Sequence, residues 1–499
     1  MLENLLKRFG YVKGLVPQQQ IKRRSFAGSN VGNLYSAWTT TNQSQDAELR
    51  NNLKTLRARS RELERNNDYA KKFIRMVKTN VIGPNGIIMQ ARVKNDNGQP
   101  DKVANAKIED AWWNWADKGN CDVTGKYSFR DIQNLAMTSM ARDGEILIRK
   151  LSGYQSNPFR FALQLIEADH LDENYNTNLN DGNKIKMGVE IDSYGRPLAY
   201  HLFNNHPGDS SFGQSYGERT RVPANEIIHL FVPQRLSQNR GIPWMHSAMT
   251  RLNMVGGYEE AELVAARIAA AKGGFYTSGT GDDYVADDTD EGTPIQEVEP
   301  GHFELLPKGL DFKQFNPEHP TTAFDMFIKA VLRGVASGLD VSYNYLANDL
   351  TSVNYSSIRA GILDERDVWK ELQAFMIEHF MQEIFREWLR MALLTQMVEL
   401  PISKIEKFNS VQWQPRGWQW VDPASDVEAN ANAVNNLQKT RSEIAAERGK
   451  DFEEDILAQL AIEQKLIEQY GLKVIDKNIE YELKPKSPKQ EGKQNEAGN

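Results

Sequence analysis

Cysteine is nearly missing from these 499 residues: Cys121 is the only one. A single thiol excludes an intrachain disulfide and any multi-cysteine zinc site, and it suits a reducing compartment. Long hydrophobic runs are missing too. No stretch approaches the ~20 consecutive apolar residues of a membrane span. The opening MLENLLKRFG is too short, and too interrupted by Lys7 and Arg8, for a secretory signal. There is no surplus of positive charge: 60 Lys and Arg stand against 67 Asp and Glu, a net of −7. That excludes a protein whose whole surface binds nucleic acid. The G-x-x-x-x-G-K-[ST] string is absent, which excludes a P-loop ATPase, and no H-E-x-x-H pair occurs. One G-x-S-x-G string spans Gly213 to Gly217, but its flanks are polar where a nucleophile elbow needs a buried strand and a helix. It reads as a flexible loop. The eight histidines fall in no familiar ligand spacing, His201 with His206 coming nearest to a pair. Nothing in the pattern calls for a cofactor or a metal ion.

What is present is organised in blocks. The length allows about three domains. Residues 1–45 form a basic arm, with six Lys or Arg against Glu3 up to Thr40. It reads as a flexible tail or as a nucleic-acid contact. From Asp46 to Lys78 the spacing predicts helices, with Leu49, Leu53, Leu56 and Leu63 on one stripe. The other face carries Arg50, Lys54, Arg57, Arg59, Arg61 and Arg65, and the commoner reading of such a face is that it is solvated. Asp68 is positioned to cap a second helix. Strands are predicted at Gly86–Val93, Glu145–Leu151, Phe159–Glu167 and Glu226–Pro233, and Lys184–Ile191 with Leu198–Phe203 reads as a β-hairpin about the turn Asp192–Pro197. Helices fall at Ala104–Lys118 and Ser128–Arg142, the latter with a capping box closed by Asp131. Strands and helices do not alternate strictly, so the class is α+β.

Pro243 opens a long helix to Lys272, stopped by Gly273-Gly274. Residues 273–320 are polar, with strands predicted at Gly274–Ser278 and His302–Pro307. A helix from Thr321 to Gly338 returns antiparallel to the first. A polar connection covers 339–353, and a long helix runs from Asn354 to Leu394. Trp413, Trp418 and Trp420 cluster after it, and 423–476 is helical in pieces. Residues 477–499 have the composition of a disordered tail. The aromatic groups at Trp112, Trp113 and Trp115 and at Trp413 to Trp420 read as core packing. Alternatively, the first could hold a partner helix in a monomeric adaptor.

Few residues point to chemistry. The stretch 282–299 holds Asp282, Asp283, Asp287, Asp288, Asp290 and Glu291, then Glu297 and Glu299, with no Lys or Arg. It misses the EF-hand pattern, because Thr289 occupies a ligand position. It reads as an exposed acidic loop. The alternative is a metal-dependent hydrolase using these acids and His170. Glu167-Ala168-Asp169-His170 could support acid–base work, and a hydrogen-bond network at a strand end explains it as well.

Several phrases, in order along Asp46 to Leu472, resemble the lambda-type family of tailed-phage portal proteins. They are RARSRELERNNDYAK (57–71), DGEILIR (143–149), QLIEADHLD (164–172) and VPANEIIH (222–229) with RGIPW (240–244). YEEAELVAA (258–266), NPEHPTTAF (316–324), VNYSSIRA (353–360) and TRSEIAAERGKDFEE (440–454) continue the series. The resemblance implies a homo-oligomeric ring of about twelve copies at one vertex of the virion capsid, assembled in the host cytoplasm. Double-stranded DNA passes through such a channel. The terminase large subunit docks on it, and head-completion or neck proteins follow. Major capsid and scaffolding proteins are further partners, and no membrane is involved. The implied parts are a wing (46–242 and 354–422), a two-helix stem (243–272 and 321–338), a β-rich clip (273–320), a channel loop (339–353) and a helical crown (423–476). The clip acids Asp282, Asp283, Asp287, Asp288, Asp290 and Glu291 then become docking candidates. Asn344, Asn348, Asp349, Thr351 and Ser352 become channel candidates, on a stretch without Lys or Arg from Val341 to Ser352. Arg251, Lys329 and Arg333 are either cations near DNA or members of intersubunit ion pairs. No residue is assigned to catalysis.

Overall fold

The computed structural model describes residues 39, 42–209, 218–270, 274–278, 310–314, 324–351, 355–418, 423–446 and 452–470. The chain divides into two compact units, 1–416 and 417–499.

The first unit begins with three helices, α1 (Gln45–Arg50), α2 (Leu53–Asn66) and α3 (Asp68–Val81). Leu49, Leu53 and Leu63 are buried as the stripe requires. The cap of α3 is Asn67, whose side chain accepts from Ala70 N at 3.0 Å, and Asp68 is the first helical residue. Both types can cap, but the extended backbone that a cap needs falls at Asn67. The solvated reading of the basic face fails at Arg57, which is 2% exposed. A buried carboxylate, Glu145, lies opposite it.

Next come β1 (Ile88–Ala91), α4 (Lys102–Ala116) and α5 (Phe129–Asp143). The Ser128–Asp131 capping box starts α5, and Gly144 ends it at φ 90. Strands β2 (Ile146–Ser152), β3 (Phe161–Ile166), β4 (Thr177–Asn178), β5 (Lys184–Lys186), β6 (Val189–Ile191), β7 (Pro197–Phe203), β8 (Arg219–Pro223) and β9 (Ile227–Leu230) follow. They form a three-stranded sheet, β3-β2-β9, and a five-stranded sheet, β4-β5-β6-β7-β8. Every ladder is antiparallel, as an α+β chain requires. The single strand expected over Lys184–Ile191 is a hairpin. Met187 and Gly188 both take positive φ, 45 and 84, the geometry of a two-residue turn between twisted strands.

A short 3₁₀ turn (Trp244–Ser247) leads into α6 (Met249–Ala270). Strands β10 (Gly274–Ser278) and β11 (Leu310–Gln314) pair antiparallel, and α7 (Phe324–Gly338) follows. Residues 301–309, where the second strand was expected, lie outside the described residues. Helices α6 and α7 are antiparallel. Ser247 Oγ donates to Gly338 O at 2.6 Å, while Tyr258, further along α6, packs on Phe324 and Phe327 at the start of α7.

After α8 (Tyr343–Ala347), the long helical region is α9 (Tyr355–Met376), a π-helical turn (Ile377–Met381) and α10 (Gln382–Leu394). A short α11 (Ile405–Phe408) precedes β12 (Val411–Gln414), which pairs with β1 across more than 300 residues of chain. The core is aromatic: Trp112 meets Trp388 edge-on at 5.0 Å, and Trp115, Phe385 and Trp413 surround them. The Trp112–Trp115 pair is core packing, as is Trp413, whereas Trp113 stays 46% exposed. Trp418 belongs to the second unit, and Trp420 lies outside the described residues. That unit contains α12 (Pro423–Asn435), α13 (Arg441–Ala446), a π-helical stretch (Phe452–Leu457) and α14 (Ala458–Gln469). The arm before residue 39, the G-x-S-x-G string and the tail after 470 also lie outside the described residues.

Candidate functional site

The polar connection after α7 contains a short helix held by one carboxylate. Leu339 N donates to Val335 O at 3.0 Å and Val341 N to Ala336 O at 3.1 Å, closing the end of α7. Ser342 N donates to Glu365 Oε2 of α9 at 3.2 Å, and Trp369 Nε1 donates to the other oxygen at 3.2 Å. Burial pushes the Glu365 carboxyl up in pKa. Leu346 anchors α8 in the core, and Asn348 ends it in the left-handed region at φ 54, which Asn tolerates. Asp349 then accepts from Thr351 N at 3.1 Å, Thr351 Oγ1 at 2.5 Å and Tyr343 Oη at 2.8 Å. These bonds, led by the Thr351 hydroxyl, hold its carboxyl well below the usual carboxylate range.

Three neighbouring cations are already engaged. Lys329 Nζ sits 2.8 Å from Asp325 and 3.7 Å from Asp349. The Arg333 guanidinium lies over the Tyr343 ring at 5.3 Å. Lys72 of α3 donates to Asn348 Oδ1 at 2.6 Å. Thus Lys329, Arg333, Asn348, Asp349 and Thr351 gather around Tyr343. Asn344 is half-buried on α8. Arg251 stands apart, exposed on α6 and packed across Gly334, where an added Cβ would meet its guanidinium at 2.5 Å. Ser352 and the acids Asp282, Asp283, Asp287, Asp288, Asp290 and Glu291 lie outside the described residues. Sequence reasoning missed Lys72 and Tyr343. Lys72 is distant in sequence, and nothing in the spacing marks Tyr343 as the hub.

A second network sits beside the three-stranded sheet, at the start of β2 and on β9. Glu145 is fully buried and accepts from Arg240 Nε at 2.9 Å, His229 Nε2 at 2.9 Å and Gly241 N at 2.7 Å, with Arg57 completing the set. Arg240, itself fully buried, also donates to the carbonyls of Leu171, Met187 and Ala168. Burial alone would raise the Glu145 pKa, but Arg240 and Arg57 outweigh it and hold the group below the usual range. The Glu167–His170 knot is the expected strand-end network. Asp169 pairs with Arg61, and His170 Nδ1 meets Phe203 O at 2.9 Å. His201 turns to Glu190 rather than to His206. Among the described residues, Glu167, Asp169 and His206 are the one group whose ligand atoms could surround a metal ion. Arg61 already occupies the Asp169 carboxylate, so the set is built as ion pairs.

The arrangement around Tyr343 offers amide and hydroxyl groups to its surroundings. The family model for the lambda family of phage portal proteins matches residues 32–373. The chain belongs to that family. It is 37% identical over 457 residues to a probable portal protein of Halomonas phage phiHAP-1, covering 90% of this chain and 88% of the relative. It is 24% identical over 484 residues to portal protein B of Escherichia phage lambda, covering 89% and 90%. The portal protein of Escherichia phage N15 is 23% identical over 470 residues, covering 87% and 88%. Among solved structures, the neck of an empty gene transfer agent particle is similar at 13% identity and a TM-score of 0.43, over 80% of this chain and 93% of that one. The protein is the portal protein of a tailed phage, and the hydrolase alternative has no support. No helix among the described residues is long and apolar enough to cross a membrane.

Proposed function

We propose that this portal chain closes into a ring of about twelve copies at one capsid vertex, with residues 339–353 at the wall of its DNA channel. The observation that carries the reading is the surface of that segment. Its exposed candidates, Asn348 and Thr351, are uncharged, and Lys72, Lys329 and Arg333 are engaged by partners of their own chain, which leaves Lys71 and Arg75 of α3 as the unpaired cations bordering it. Each free Lys or Arg contact to phosphate adds salt-dependent affinity and would brake moving DNA. A channel segment that carries no Lys or Arg of its own from Val341 to Ser352 lets the duplex slide during packaging and ejection.

In this reading α6 and α7 form the stem, 273–320 the clip, 423–476 the crown and the remaining folded segments the wing. The acidic run 282–299 is the docking surface for the terminase large subunit and afterwards for neck proteins. Major capsid and scaffolding proteins hold the ring's outer face, assembly takes place in the host cytoplasm, and the ring does its work without catalysis or a cofactor. Native mass spectrometry with negative-stain imaging tests the core of this. A closed ring with a central hole is expected, and a monomer or dimer under all salt conditions refutes it.

A further inference from the structure

A cyclic ring needs two different surfaces on each subunit that fit one another head to tail. Helix α3 carries a cationic row. Lys71 and Arg75 are exposed and Lys78 is half-buried, and the three fall at i, i+4 and i+7, within a narrow arc of the helix. Helix α9 exposes an acidic row, Asp364, Asp367 and Glu371, at i, i+3 and i+7, and Glu378 continues it into the π-helical turn. Among the described residues, Asp367 has an ion pair, to Lys370 of its own helix. None of the other charges in the two rows of three is paired within the chain among those residues. The gaps of the two rows are three and four residues, in opposite order. Laid antiparallel, Lys78 faces Asp364, Arg75 faces Asp367 and Lys71 faces Glu371, each row spanning roughly 10 Å at 1.5 Å per residue.

We infer that these rows are the two halves of a subunit contact: the α3 row of one copy docks on the α9 row of the next. The inference rests on the ring reading. Exposed ion pairs are weak one by one, so the rows set register and exclude wrong pairings rather than supply the affinity. DNA phosphate is the competing occupant, because Lys71, Lys72 and Arg75 border Leu346 and Asn348 of the channel segment. Three unpaired cations per subunit, repeated around a ring, would grip phosphate and oppose sliding. The matching acidic row favours a second copy.

The test is a charge swap in the full chain. One variant carries K71E, R75E and K78E; a second carries D364K, D367K and E371K; a third carries all six. Circular dichroism shows whether each is folded, and native mass spectrometry counts closed rings. Each half-swap sets like charges face to face at every contact and is expected to abolish rings at low salt, with partial recovery as salt screens the repulsion. The six-fold variant is expected to recover rings. If the unmodified chain forms no ring, the reading under Proposed function fails. If it does, folded half-swaps that still close, or a six-fold variant that does not recover while folded, overturn this inference alone. Cation-reversed rings that close but lose retention of duplex DNA would overturn it and assign the row to phosphate.

Discussion

Glu145 and Asp349 are both carboxylates held below their ordinary pKa range, and they reach that state by opposite routes. Glu145 has no exposure at all and must overcome its own desolvation, which it does with two guanidiniums, a histidine and a backbone amide. Asp349 lies near the surface and is held by two hydroxyls and a backbone N–H, with only a distant ammonium. The first arrangement ties α2, β2, β9 and the approach to α6 into one block, and losing any member strands a buried charge. The second is local: it shapes one turn and can be released without exposing a core.

Glu145→Ala is the strongest way to break this contrast. It leaves Arg57 and Arg240 buried without their anion and is expected to cost about 3–5 kcal/mol, read as a lowered urea midpoint. A loss below ~1 kcal/mol would mean that the guanidiniums find other partners. Acid comes next in size. Because the folded-state pKa of Glu145 lies below its unfolded value of roughly 4.3, its contribution is whole above that value. It is lost as pH falls through the folded-state value. The urea midpoint of the parent should therefore drop below about pH 4 more steeply than that of Glu145→Gln, and parallel profiles would contradict the assignment. Asp349→Asn should leave the thermal midpoint in place while amide exchange from Ser342 to Thr351 accelerates. Unchanged exchange would remove that carboxylate as the centre of the turn. The smallest effect belongs to Lys72→Ala, which should loosen Asn348 and Leu350 alone, by less than Asp349→Asn does.

The same contrast explains what could be read ahead of the structure. The capping box at Ser128 and Asp131, the hairpin joining β6 to β7, and the antiparallel pair α6 and α7 depend on neighbours in sequence, and the pattern announces them. The burial of Arg57 depends on Glu145, 88 residues away. A cationic helix face looks the same in sequence whether water or a carboxylate lies opposite. Met187 in a left-handed turn carried no turn signal except the glycine after it. The π-helical turn at Ile377–Met381 contains neither Gly nor Pro, so nothing marked the break in the long helix. At the candidate site, the absence of Lys and Arg from Val341 to Ser352 was legible. The occupation of Lys72 and Arg333 by internal partners was not, because it depends on α3, α7 and the segment around Tyr343 meeting.

Gly144 and Gly241 cross without room for a side chain. A Cβ on Gly144 would stand 2.4 Å from the Ile242 carbonyl carbon, and one on Gly241 would stand 2.2 Å from Gly144 O. The strand that begins at Ile146 and the segment that feeds α6 are therefore clamped main chain against main chain, immediately beside Glu145. Such a joint has no compliant layer. A load travelling along α6 would reach the sheet without being absorbed by side-chain rearrangement, much as a pinned truss passes strain from one member to the next.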